Sequence, residues 1–82
     1  IGLPGQANRA RLLRRYLQDL TIDCDLELVA ERLSGLSPAD IEAVCISAAR
    51  RAFGRGDNDD RVPPLSWEDF EHAIKRVATY SA

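Results

Sequence analysis

The sequence predicts an all-α fold, a four-helix bundle, and three observations predict it. Apolar residues recur at i, i+3, i+4 and i+7 in four separate stretches. Helix-start chemistry stands before three of those stretches, at Asp25, Ser37-Pro38 and Ser66. Short connections join the amphipathic stretches, as in a helical bundle. At 82 residues the chain has room for one domain with a modest core. Its composition, 45% hydrophobic and 29% charged, is that of a soluble globular chain rather than a disordered one.

The elements follow in order. Residues 1–5, with Pro4 and Gly5, read as an extended lead-in, and the chain has no initiating Met, so this segment is expected to be a linker from an upstream domain. A first helix is expected over about 6–19, with Leu12, Leu13, Tyr16, Leu17 and Leu20 on one face and Arg9, Arg11, Arg14 and Arg15 on the others. After a short connection at 21–24, Asp25 caps a second helix over about 25–33, whose apolar positions are Leu26, Val29, Ala30 and Leu33. Gly35 suits the position after a helix end, where positive φ is needed. Ser37, Pro38 and Asp40 then form an N-terminus with a capping-box pattern. The third helix runs over about 38–53 on an apolar stripe of Ile41, Val44, Cys45, Ala48, Ala49 and Ala52, with Gly54 just past its end. Residues 54–61 form a polar loop rich in Gly and Asp, and the two prolines at 63 and 64 force an extended approach to the last helix. Ser66 and Asp69 cap that helix, expected over about 66–80, with Trp67, Phe70, Ala73, Ile74 and Val77 facing the core.

Several function classes are set aside by composition. A net charge of −2 gives no general attraction to nucleic acid or anionic membrane, and no apolar run approaches the roughly 18–20 residues of a membrane span. Cys24 and Cys45 have no partners at zinc spacing, which predicts two reduced, half-buried thiols in an intracellular, cytoplasmic setting. His72 is the lone histidine and reads as a surface residue with no metal or triad partners. The arginines of the first helix lack interleaved aromatic residues for base stacking, so nucleic acid is not the expected partner. Arg55-Gly56-Asp57 is a three-residue match expected by chance. Asp57, Asp59 and Glu68 fall on calcium-loop positions, but Arg61 and Val62 break that pattern. There is no G-x-x-x-x-G-K-[ST], so the chain has no phosphate-cradling loop of its own, and no catalytic constellation is visible.

Five pieces of the sequence, in order, resemble the small C-terminal lid subdomain of AAA ATPases. Ile1-Gly-Leu-Pro4 is similar to the segment leaving the large ATPase subdomain, Arg9 with Leu12-Leu13 to the first lid helix, and 25–30 to the second. Gly35 through Ile41 resembles Gly-x-Ser-Gly-Ala-Asp-[Leu/Ile], and Leu65 through Ile74 resembles the start of the fourth helix. The resemblance implies a four-helix bundle of the AAA lid type at 6–82, preceded by a linker at 1–5. It implies a role in an ATP-hydrolysing, protein-remodelling ATPase, with the lid closing over nucleotide and passing its state to a neighbouring subunit of a homo- or hetero-hexamer. The chain alone would not be catalytic. ATP or ADP with Mg would be held mainly by a P-loop subdomain. By the same resemblance Tyr16 lies near the adenine, and Pro38 and Ala39 pack against ribose and base. At Pro38 the family's usual residue is Gly; proline removes a donor and adds bulk there. Ala39 and Asp40 occupy the region where wider relatives carry a sensor arginine, so none is assigned. Arg11, Arg14 and Arg15 are the candidate subunit contacts. The reading from another class is a free-standing helical interaction module without nucleotide.

Overall fold

The computed structural model describes residues 5–55 and 63–81. Four helices follow one another: α1 (Gln6–Tyr16), α2 (Leu26–Arg32), α3 (Pro38–Arg55) and α4 (Trp67–Ser81). The all-α expectation holds, and the four elements fall where the periodicity places them. The expectations for residues 1–4 and 56–62, including the Arg-Gly-Asp and calcium-loop patterns, lie outside the described residues.

The boundaries differ in informative ways. α1 stops at Tyr16, and residues 17–19 continue as turns, the Leu20 N–H donating to the Leu17 carbonyl at 2.9 Å. A tightened last turn of this kind often ends a helix whose apolar face is still needed against the core. Leu17 is buried there in spite of the turn. α3 extends through Gly54 to Arg55, so Gly54 lies inside the helix rather than beyond it. Arg55 explains the extension, because its guanidinium holds the Asp69 carboxylate and the Pro64 carbonyl.

The caps are those the sequence carries. The Asp25 carboxylate accepts from the Glu27 N–H at 2.9 Å. The Ser37 hydroxyl accepts from the Asp40 N–H at 3.2 Å, while the Asp40 carboxylate accepts from the Ser37 N–H at 3.4 Å, the reciprocal pair of a capping box. Between α2 and α3, Gly35 sits at φ +88°, and the Leu36 N–H closes the turn onto the Leu33 carbonyl at 3.1 Å. That conformation is the reason for a glycine.

One core joins all four helices. Leu13, Val29, Leu33, Ile41, Val44, Leu65 and Phe70 are fully buried in it, and Ala48 and Ala52 let α4 approach α3 closely. α3 and α4 pack together most extensively, with α1 against both α2 and α3. Leu65 also belongs to a feature outside the helices: a parallel bridge pairs it with Ile22. The Leu65 N–H donates to the Thr21 carbonyl at 2.9 Å, and the Asp23 N–H donates to the Leu65 carbonyl at 2.8 Å. Two connecting segments far apart in sequence are thereby sewn together.

Arg9 corrects the reading of α1 as carrying four surface arginines. It is 8% exposed, and its Nε donates to the Ala30 carbonyl at 2.7 Å while a terminal nitrogen donates to the Gln6 side chain. A guanidinium there caps carbonyl oxygen near the C-terminal end of α2, where the helix dipole favours positive charge.

Candidate nucleotide and subunit surfaces

Tyr16 is the last residue of α1. Its ring is partly buried and packs against the core. Pro38 and Ala39 are the first two residues of α3 and both are exposed. The N-terminus of α3 carries the Asp40 carboxylate within its first turn, so the positive end of the helix dipole is already offset by a local negative charge. This end is therefore a poor seat for phosphate and a neutral surface for a base or sugar. Neither the groove between α3 and α4 nor the cleft between α1 and α2 is lined by Tyr16, Pro38 or Ala39, so a nucleotide touching them needs a second surface to enclose it.

Arg11, Arg14 and Arg15 are all exposed on α1. Arg14 pairs with Glu27 across the α1–α2 groove at 3.0 Å, both side chains being more than half exposed. A shallow cleft of about 500 Å³ lies there, lined by Gln6, Ala7, Ala10, Arg11, Arg14 and Glu27. Arg11 and Arg15 have no ion-pair partner among the described residues.

The strongest electrostatic cluster lies elsewhere. Asp69 is fully buried at the start of α4. Its carboxylate accepts from the Ser66 N–H at 2.9 Å, from the Ser66 hydroxyl at 3.3 Å, from Arg51 at 2.7 Å and from Arg55. Burial raises its pKa, but the Ser66 amide, the Arg51 hydrogen bond and the Arg55 charge outweigh that and hold it below the ordinary carboxylate value. The capping role was legible from Ser66 and Asp69. The two arginines were not, because nothing in local spacing ties 51 and 55 to 69. On the α2–α4 side, Arg32 pairs with Glu71 at 3.0 Å and lies 5.8 Å from the Trp67 ring centroid. These pairs fix helices to one another.

Both thiols are free. Burial pushes Cys45 up to about 12, helped by Glu42. Burial also raises Cys24, with Asp23, Asp25 and Asp69 adding to the effect. Neither has the depressed pKa of a nucleophile. Among the described residues no group of three or more His, Cys, Asp or Glu side chains could hold a metal, and no helix is long and apolar enough to cross a membrane.

The geometry thus defines a helical bundle with two exposed surfaces suited to contact. Residues 23–72 match the family model of the AAA+ lid domain. The chain is 39% identical over 79 residues to the ATP-dependent zinc metalloprotease FtsH 3 of Sphaerobacter thermophilus, covering 94% of this chain and 15% of that protein. It is 34% identical over 92 aligned positions to a katanin p60 ATPase-like protein of Danio rerio, covering 95% of this chain and 19% of that protein. The fold matches the FIGL-1 AAA domain solved with ADP, at a TM-score of 0.71 and 23% identity, covering 96% of this chain and 33% of that one. The chain belongs to the AAA+ lid domain family, and its relatives are AAA ATPases. It spans less than a fifth of the length of these two curated relatives.

Proposed function

We propose that this lid serves an ATPase that binds and hydrolyses ATP to remodel or unfold proteins, and that it closes over the nucleotide and passes its state to the next subunit of a ring. The lid would occupy residues 6–82, with 1–5 as the linker to a P-loop subdomain that holds Mg and the phosphates. The observation that carries the reading is the placement of Tyr16. Its ring is anchored against the core of a family-typical lid at the end of α1, and its remaining surface is open to an incoming flat ring. One shared core across four helices supports rigid-body movement, since closely packed interiors transmit displacement rather than absorb it.

The test is nucleotide affinity in the intact ATPase, followed with a fluorescent ADP analogue. A stacked base and aromatic ring is worth roughly 1–3 kcal/mol, so Tyr16→Ala should weaken binding roughly fivefold or more, whereas Tyr16→Phe should keep it. Equal affinity in wild type and Tyr16→Ala would remove the adenine contact.

A further inference from the structure

The larger concavity is not at the nucleotide candidates. It is a groove of about 620 Å³ between α3 and α4, and no acidic side chain lines it. Its floor is apolar and small: Ala43 and Ile46 from α3, and Val77 from α4. Ile46 is 47% exposed. The rim is basic, with Arg50 from α3 and His72 and Arg76 from α4. Arg50 and Arg76 have no acidic partner among the described residues, although the chain as a whole is negatively charged. Positive charge thus rims an apolar floor here.

We propose that this groove docks an amphipathic helix of a partner protein, one whose apolar ridge is flanked by Asp or Glu. Positions 43, 46 and 50 stand at i, i+3 and i+7, and 72 and 76 at i and i+4, so the α3 wall runs for about two turns, roughly 10 Å, and the α4 wall for about one. Ala43 lets a partner backbone come close, and Ile46 and Val77 receive its apolar ridge. Arg50 and Arg76 meet carboxylates on either side, which fixes the partner's orientation and disfavours basic helices. The apolar floor and the absence of Phe, Tyr and Trp from the lining favour a peptide over a single-stranded nucleic acid, which binds on broad stacking platforms. The surface is separate from the proposed nucleotide contacts, so the two readings stand or fall independently.

The experiment uses the intact protein without nucleotide and three labelled probes, read by fluorescence anisotropy. Two are helical peptides of about four turns with leucines at i, i+3 and i+7, one flanked by Glu and one by Lys; the third is a short oligo(dT). The Glu-flanked peptide is expected to bind saturably and the Lys-flanked one not. Arg50→Glu with Arg76→Glu should weaken the Glu-flanked peptide roughly tenfold and admit the Lys-flanked one. Ile46→Asp, a substitution at an exposed position expected to leave the circular dichroism spectrum unchanged, should also abolish binding. The proposal is overturned if the Glu-flanked peptide binds no better than the Lys-flanked one. It is equally overturned if binding survives the double charge reversal, or if oligo(dT) binds the groove and the peptide does not.

Discussion

Asp69 shows how much one side chain can organise. It caps α4 through Ser66 and at the same time draws in Arg51 and Arg55 from the last turns of α3. Removing a member of a buried pair strands the other charges, but Arg51 and Arg55 are one-third or more exposed and can turn to water. Asp69→Ala should therefore cost about 3 kcal/mol, at the low end for such pairs, measured by urea unfolding. The pH dependence has a definite sign. The folded pKa lies below the unfolded value of about 3.9, so the contribution is complete above that value and is lost as pH falls through the folded pKa. Wild type should lose stability below about pH 4 more steeply than Asp69→Ala does. Cys45 gives a second expectation at this scale. With its thiol pushed up to about 12 and 3% exposed, it should resist Ellman's reagent at neutral pH until the chain unfolds. Cys24, only partly buried, should react first in the native state.

At the scale of elements, helix starts were legible because their chemistry is local. Ser37 with Asp40, Asp25 with the Glu27 amide, and Gly35 at positive φ all sit within a few residues of the group they satisfy. What escaped was contact between distant segments. Arg9 reads as one of four surface arginines on α1, yet it is buried against the α2 carbonyls, because the partner that justifies burying a guanidinium lies 21 residues away. The bridge between Ile22 and Leu65 escaped for the same reason: its two halves lie 43 residues apart. That bridge leads to a prediction. Leu65 is wholly buried and its backbone also closes the α1–α2 and α3–α4 connections onto each other. Leu65→Ala should cost about 3 kcal/mol from the cavity alone. Hydrogen exchange should quicken at the Asp23 amide, which donates to the Leu65 carbonyl, more than at amides inside α3.

For the whole molecule, the division of charge separates what holds the bundle from what the bundle offers. Arg9, Arg51 and Arg55 reach other elements from within or beside the core, and removing them should unfold the chain before it reveals anything about partners. Arg11 and Arg15 differ: they are exposed on α1 and pair with no acid among the described residues. Arg14 is intermediate, since its link to Glu27 is an open surface pair worth little. The sequence reading grouped these arginines by exposure, and Arg9 alone left the group once packing was known. If α1 forms a contact between neighbours in a ring, Arg11→Glu with Arg15→Glu should leave the stability of the chain within about 0.5 kcal/mol of wild type, because nothing inside the bundle depends on either charge. The same pair in the intact ATPase should lower ring assembly at physiological salt, read by analytical ultracentrifugation, and the deficit should shrink as salt screens the reversed charges. Unchanged assembly and unchanged ATP turnover in that variant would remove α1 from the interface and leave its arginines as a solvated face.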